Sequence, residues 1–291
     1  MKIATAAYPL DVLTSWAHYE DKLATWVAEA AAESAELLVF PEYGALELAT
    51  LDGLDVASDL EKSLFATSDR IPDTDALHLR LAAEYGVHII AASAPAATTS
   101  RPVNRARLIT PTGQVGVQDK QIMTRFEDEV WGVTPGNALQ VFDTVLGKIG
   151  ILICYDSEFP LLGHALRECD VICVPSVTET LGGYWRVRIG SMARALENQC
   201  VTAMSSVVGP ANWSEALGNS FGAGGIFTPP DKGLPQNGVL AEGVLNQPGW
   251  TYGEIDLGHI AEVRRDGIVL NRNHWQHQIG RDTPATLVRL R

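Results

Sequence analysis

Long apolar runs along the chain predict strands that are buried on both faces. The runs cover residues 2–9, 35–41, 86–94, 170–177 and 200–209, and they are apolar almost throughout rather than alternating with polar residues. Such strands are typical of a sheet that is covered by helices.

Several segments between these strands have the spacing of amphipathic helices. Residues 16–32 place their apolar side chains close to a 3.6-residue period, and helices are also predicted around residues 75–85, 161–168 and 184–198. Strands that alternate with helices predict an α/β fold.

Two segments predict antiparallel hairpins within the same pattern. Residues 106–120 form two short strands around a PTG turn, and residues 138–154 form two more around Leu146 and Gly147. Hairpins among buried strands indicate a mixed sheet rather than a purely parallel one.

The last third of the chain is less regular. Residues 212–249 are rich in Gly, Pro and Asn and are expected to hold short strands, followed by a late strand at 250–257. Residues 270–291 have no obvious place in the core.

The net charge of −13 over 291 residues excludes two classes of partner. It repels nucleic acid and anionic lipid. No run approaches the eighteen or so apolar residues of a membrane span, and the N-terminus is expected to be a first strand rather than a signal peptide.

The cysteines are Cys154, Cys169, Cys173 and Cys200, and none forms a CxxC pair. This spacing predicts reduced thiols in a cytoplasmic protein, with neither a disulfide framework nor a metal site.

Three polar residues follow apolar strands in the same way. Glu42 follows LLVFP, Lys120 follows GQVGVQD, and Cys154 follows GKIGILI. Strand ends in α/β sheets converge on one edge, where ligands bind. A carboxylate, an amine and a thiol that meet there would form a nucleophilic site, although a buried cysteine taken alone is more often a small core residue.

The motifs around these residues resemble the signature of the nitrilase superfamily, the carbon–nitrogen hydrolases. They are FPEYG with Glu42, QDKQIMTRFEDE with Lys120 and ILICYDSEFP with Cys154, and their order and spacing agree over about residues 1–265. The resemblance implies a four-layer αββα sandwich with mixed sheets, in a single domain of residues 1–265. It implies no cofactor and a homo-oligomer, with residues 266–291 as an extension that contacts another subunit.

The resemblance also implies roles for individual residues. Cys154 would be the nucleophile, Glu42 the general base and Lys120 the stabiliser of the oxyanion, helped by the backbone N–H of Tyr155. A second glutamate would orient the lysine. Counting back from Gly136 favours Glu129 over the competing Glu127.

The expected substrate is a small amide, because Tyr155 and Asp156 follow the cysteine where nitrilases typically have a Trp-Glu pair. N-carbamoyl amino acids and nitriles are the close alternatives, and an arginine that binds a substrate carboxylate would favour the first of these. Asp156 itself is expected to cap the turn after the nucleophile. The candidate arginines are Arg125, Arg186 and Arg188, and the candidate pocket residues are Trp131, Glu158, Thr178 and Glu179.

Rival functions find less support in the sequence. A non-catalytic binding or scaffold protein would not need all three catalytic residue types. None of the seven histidines stands in a recognisable Cys–His hydrolase motif. The GAGG segment at residues 222–225 lacks the GxGxxG spacing of a dinucleotide site.

Overall fold

Strands and helices alternate along the chain in the predicted order. The computed structural model describes residues 1–290. The strands are β1 Lys2–Pro9, β2 Leu37–Val39, β3 His88–Ala96, β4 Val103–Ile109, β5 Val115–Asp119, β6 Phe142–Thr144, β7 Gly147–Ile151, β8 Val171–Ser176, β9 Val201–Ala211, β10 Gly218–Ser220, β11 Gly225–Phe227, β12 Val239–Glu242 and β13 Gly249–Glu254. The α-helices are α1 Trp16–Ala32, α2 Leu54–Ala57, α3 Leu60–Asp69, α4 Ile71–Tyr85, α5 Pro160–Ala165, α6 Leu181–Asn198, α7 Leu257–Asp266 and α8 Asn271–His274.

The strands form two half-sheets that pack face to face. One half has the order β5-β4-β3-β2-β1, with β13 beyond it, and the other has β9-β8-β7-β6, with β11 and β12 beside β9. The halves join where Ala7–Pro9 of β1 pairs with Ser206–Val208 of β9. The predicted four-layer αββα arrangement with mixed strand directions is confirmed, and the two sheets are continuous through this short junction.

Alternating side chains of the first half-sheet belong to two different cores. On β1, Ala4 and Tyr8 pack with the helix residues Leu23 and Val27, whereas Ile3 faces the other half-sheet. The second core joins Ile3, Val39, Ile90 and Leu108 to Ile151, Cys173 and Met204. A strand with an apolar residue at every position is therefore needed, which explains the continuous runs in the sequence.

The strand directions bring several carboxyl ends to one edge of the sandwich. β1, β2 and β3 are parallel, and β5 runs in the same sense because β4 is antiparallel to both of its neighbours. In the other half, β7 and β8 are parallel to β9, which is parallel to β1. Loops after β2, β5, β7 and β8 therefore meet.

The structure corrects the bounds of several predicted elements. The helix over 16–32 and both hairpins are confirmed. The helix over 75–85 begins earlier, at Ile71, and that over 161–168 ends at Ala165. The strand expected to reach Pro41 ends at Val39, since the following residues turn away to place Glu42.

Two stretches have helices that the sequence pattern did not predict. Residues 44–69 form a 3-10 helix, Gly44–Asp52, followed by α2 and α3. Beyond β13, α7 docks through buried Ile260 and Val263. Within residues 1–290, no helix is long and apolar enough to cross a membrane.

Candidate active site

Strand ends carry Glu42, Lys120 and Cys154 to the same edge of the sandwich. Glu42 lies shortly beyond β2, Lys120 follows β5 directly, and Cys154 lies shortly beyond β7. All three side chains are buried, and all three line one cavity. The structure thus brings together the three polar residues that break the apolar pattern.

Glu42 accepts hydrogen bonds from three donors. Its Oε1 accepts from Lys120 Nζ at 2.7 Å and from Asn104 Nδ2 at 2.9 Å, and its Oε2 accepts from the backbone N–H of Val177 at 3.1 Å. Burial raises the pKa of Glu42, although the positive charge of Lys120 opposes the rise. A carboxylate with a raised pKa is a stronger base than an exposed one.

Lys120 lies between two carboxylates. Besides Glu42, its Nζ donates to Glu127 Oε2 at 2.6 Å. Burial alone would lower the pKa of Lys120, but the charges of Glu127 and Glu42 outweigh burial and raise it. Burial would likewise raise the pKa of Glu127, and Lys120 instead lowers it. The pair is therefore an ammonium beside a carboxylate.

The structure places Glu127 rather than Glu129 beside Lys120, so the preference for Glu129 is wrong. Glu129 is exposed and pairs with Arg125 on the surface at 2.8 Å. Glu127 is buried, and its carboxylate accepts from Thr124 and from the Tyr43 hydroxyl, each at 2.9 Å. Glu127 is the first residue of a single π-helical turn, Glu127–Trp131, and residues two apart in a helical turn face roughly opposite sides, so Glu129 points away from Lys120.

Cys154 begins a tight 3-10 turn, Cys154–Glu158, in a left-handed backbone conformation. Its φ is +49°, and the turn is fixed by a hydrogen bond from the Ser157 hydroxyl to the Cys154 carbonyl at 2.6 Å. The thiol lies 3.6 Å from the carbonyl oxygen of Val177. Non-glycine residues adopt this conformation at a cost, and such strain clusters at functional sites.

The resting cysteine is a thiol rather than a thiolate. Burial raises the pKa of Cys154 well above its ordinary value, and the negative charge of Glu42 adds to the rise. Lys120 acts in the opposite direction without overcoming these two effects. A thiol in this environment would need a nearby base before it could act as a nucleophile.

A cavity of about 290 Å³ opens onto the thiol. Apolar side chains that include Phe126, Val187 and Leu217 form part of its wall. The cavity is also lined by the residues expected from the sequence, Tyr155, Trp131, Glu158, Thr178 and Glu179.

The three candidate arginines have different environments. Arg186 lines the cavity, and its Nε lies 3.5 Å from Glu158 Oε1. Arg188 pairs with Glu242 at 3.0 Å, and Arg125 pairs with Glu129 on the surface. Arg186 is thus the one of the three candidates that lies at the pocket.

Asp156 does not cap its own turn as expected. Its carboxyl accepts hydrogen bonds from the backbone N–H groups of Gln121 and Ile122, the residues after Lys120. Burial raises the pKa of Asp156 to about 7. The side chain therefore links two of the loops that form the site.

Sequence reasoning missed Asn104 and Tyr43. Asn104 is fully buried on β4 and receives a hydrogen bond from Ser93, while it donates to Glu42. A lone amide in a buried strand was the signal that could have identified it, because buried polar groups need partners. Tyr43 directly follows Glu42 in the sequence.

No set of three or more His, Cys, Asp or Glu side chains in residues 1–290 is arranged to hold a metal ion. The four cysteines are free thiols. What the arrangement offers instead is a thiol, a buried carboxylate and an ammonium around one cavity.

The family model for carbon-nitrogen hydrolases matches residues 2–265 of the chain. A curated relative, the probable hydrolase YhcX of Bacillus subtilis, is 31% identical over 92% of this chain and 52% of its own length. The chain thus spans about half the length of that protein. The omega-amidase NIT2-A of Xenopus laevis is 29% identical over 68% of this chain and 72% of its own length.

Solved structures of similar fold include two that match nearly end to end. Nit3 of Saccharomyces cerevisiae, described as a member of the nitrilase superfamily, has a TM-score of 0.70 at 19% identity, over 91% of this chain and 93% of its own. The NitN amidase of Nesterenkonia sp. AN1 has a TM-score of 0.67 at 20% identity, over 97% and 99%. At these identities the likeness shows the fold.

Proposed function

Because the chain belongs to the carbon–nitrogen hydrolase family, we propose that it hydrolyses the C–N bond of a small amide through a thioester on Cys154. The observation that carries this proposal is the contact of Lys120 with both Glu42 and Glu127 beside a buried thiol. The omega-amidase and amidase names of similar proteins favour an amide as the substrate class.

In the first step, Glu42 takes the proton of the Cys154 thiol as sulfur attacks the amide carbonyl carbon. The S–C bond forms, and the carbonyl π electrons move to oxygen to give a tetrahedral oxyanion. The raised pKa of Glu42 and the raised pKa of Cys154 suit a transfer that is driven by the attack itself.

The oxyanion requires donors that are in place before the reaction. Lys120 would supply one, because its ammonium is held at the site by Glu127, and the backbone N–H of Tyr155 would supply another. Fixed donors of this kind cost no reorganisation in the transition state and often contribute a factor of about 100 or more to the rate.

Collapse of the oxyanion breaks the C–N bond, and the proton on Glu42 passes to the leaving nitrogen. A thioester and ammonia or an amine result. Water then attacks the thioester while Glu42 accepts its proton, the C–S bond breaks, and the thiol is restored as the acid product leaves. The cycle needs only water as a second substrate.

An N-carbamoyl amino acid is a second candidate substrate, favoured by Arg186. Its guanidinium lies at the cavity and meets Glu158 at a long 3.5 Å, so that most of its donors are available to a carboxylate. A neutral amide would make no use of it.

The decisive experiment is Cys154→Ala, tested by ammonia release from primary amides, N-carbamoyl amino acids and nitriles. We expect complete loss of release, because no other group replaces the thiol, and retention of the wild-type Tm. The acyl-enzyme of the wild type should appear as a mass adduct on the peptide that contains Cys154.

Cys173→Ala is the matched control. This cysteine is also fully buried but lies on β8 in the core, away from the cavity. Its loss should leave kcat unchanged. Ammonia release that survives Cys154→Ala would refute the proposal, and the substrate with the highest kcat/KM in the panel separates the two candidate classes.

A further inference from the structure

Asp156 is a buried carboxyl that is bonded to backbone rather than to a cation. It is 1% exposed. Its Oδ1 accepts from the N–H of Ile122 at 2.8 Å and of Gln121 at 3.2 Å, and its Oδ2 accepts from Gln121 at 3.1 Å. Lys120, whose charge acts to lower the pKa of Asp156, donates its side-chain hydrogen bonds to Glu42 and Glu127 instead.

The two segments joined by this carboxyl carry the lysine and the thiol. Gln121 and Ile122 directly follow Lys120, whose own N–H and carbonyl are held by Asn104 and Gly136. Asp156 lies two residues after Cys154 in the same tight turn. One side chain therefore fixes the chain beyond Lys120 relative to the turn that presents sulfur.

We propose that Asp156 is a positioning residue that keeps the Lys120 ammonium aligned with the carbonyl group that Cys154 attacks. This proposal rests on the proposed function, since it assigns Lys120 to the oxyanion. Asp156 touches no reacting atom and acts through the backbone of Gln121 and Ile122.

The contact favours a carboxylate, because Oδ1 faces the N–H groups of Gln121 and Ile122 and Oδ2 also faces that of Gln121. Both oxygens of an ionised carboxyl accept hydrogen bonds, so they receive two N–H groups without conflict. A protonated carboxyl or an amide turns one acceptor into a donor, which then faces an N–H that is also a donor. The isosteric Asn would fill the space and keep the acceptor Oδ1, but its amide group would place a donor against the N–H of Gln121 and so weaken the contact.

A shift of the lysine would lower turnover without weakening the binding of substrate. The oxyanion forms only in the transition state, so loss of alignment lowers kcat while KM stays close to its original value. A displacement of about 1 Å at a reacting centre can cost about 100-fold in rate.

The test compares Asp156→Asn with the wild type in two reactions of the same thiol. With the best amide from the ammonia-release panel, kcat should fall about 100-fold at constant KM. Alkylation of Cys154 by iodoacetamide, followed by peptide mass, forms no oxyanion and should keep its rate within about threefold. Glu42→Gln, which removes the base, should depress both reactions.

The acid side of the pH profile supplies a second readout. The charged groups that act on Asp156 are Lys120 at the end of β5 and Glu42 after β2. Because the pKa of Asp156 lies at about 7, protonation below that pH should weaken the tether and lower wild-type kcat. The Asn variant should lack this part of the acid limb.

Glu47→Gln is the matched structural control. Glu47 is a fully buried carboxyl outside the cavity that accepts the N–H of Asp11 at 2.8 Å and pairs with Lys22 at 2.7 Å. Its loss should lower Tm without changing the shape of the pH profile. Equal losses of turnover and alkylation in Asp156→Asn, or unchanged kcat, would overturn the positioning role.

Hydrogen exchange separates this inference from the proposed function. Amides of Gln121 and Ile122 should exchange faster in Asp156→Asn than in the wild type, whatever the substrate. A wild type that hydrolyses no amide would end the proposed function. Unchanged exchange at these two amides would refute the tether itself.

Discussion

Asp156 lowers the stability of the folded protein when it is ionised. Burial raises its pKa from an ordinary value of 3.8 to about 7, so the folded state binds a proton over a pH range where the unfolded chain has lost it. Stability from this group is complete below about pH 4 and declines as pH rises to about 7. The shift corresponds to about 4 kcal/mol, at about 1.4 kcal/mol per pH unit.

The stability of the Asp156→Asn variant relative to the wild type should therefore increase as pH rises. We expect the difference in unfolding free energy to move by about 4 kcal/mol in favour of the variant between pH 4 and pH 8. Urea unfolding at several pH values measures it. A difference that does not vary with pH would show that the carboxyl is charged at no net cost.

At the residue scale, the sequence indicated which chemical groups meet but not which of two glutamates turns inwards. Glu42, Lys120 and Cys154 stand out because each is polar directly after an apolar strand. Glu127 and Glu129 lie two residues apart in one polar segment and face opposite sides of the same turn, so that one is buried and the other is exposed. A single turn is too short to show a periodic hydrophobic pattern, so the sequence does not indicate which of the two glutamates is buried.

At the element scale, α6 supports the turn that contains Cys154. A Cβ at Gly190 would lie 2.8 Å from the carbonyl oxygen of Ser157, so the helix and the turn touch backbone to backbone. Arg194 donates to that same carbonyl at 2.7 Å and is held by Glu197. These contacts hold the carbonyl of Ser157, which lies three residues after Cys154 in the same turn.

Gly190→Ala should displace the turn and lower both stability and turnover. Overpacking against backbone typically costs about 1–3 kcal/mol. Gly182→Ala is the matched control in the same helix, because the nearest atom to its Cβ is 3.9 Å away and Ala favours helix by up to about 1 kcal/mol. Denaturant melts and kcat for both variants test the contact, and equal effects would contradict it.

Elements with strong periodicity could be predicted, and those fixed by tertiary contacts could not. The 16–32 helix has a regular apolar stripe, whereas the 3-10 helix Gly44–Asp52 is buried over nearly its whole length and has no polar face. Its Glu47 is satisfied by Tyr8, Asp11 and Lys22, which are distant in sequence. A local sequence pattern does not indicate hydrogen-bond partners that lie so far away along the chain.

At the scale of the whole molecule, α6 also exposes an apolar stripe. Trp185, Ile189 and Leu196 lie on one face of the helix and are 44%, 62% and 39% exposed. Exposed apolar faces of this kind mark interaction surfaces. Homo-oligomerisation stays a prediction, and this stripe is a better candidate than the tail, whose Trp275 already stacks on His164 at 4.2 Å.

Ile189→Glu should shift the protein towards monomer, because a buried unpaired charge disfavours association. Light scattering after size exclusion measures the mass. Val145→Glu is the control, since Val145 is 91% exposed at the turn between β6 and β7. A wild type that is already monomeric would refute the oligomer.

The narrow junction between the half-sheets has a consequence for folding. Glu42 and Lys120 follow strands of one half, Cys154 and Val177 follow strands of the other, and Glu42 accepts the N–H of Val177 across 135 positions of sequence. Contacts of such long range form late, because their loop-closure entropy must be offset first. We therefore expect a refolding chain to form its secondary structure before Glu42, Lys120 and Cys154 come together, because these residues meet only when the two halves have docked.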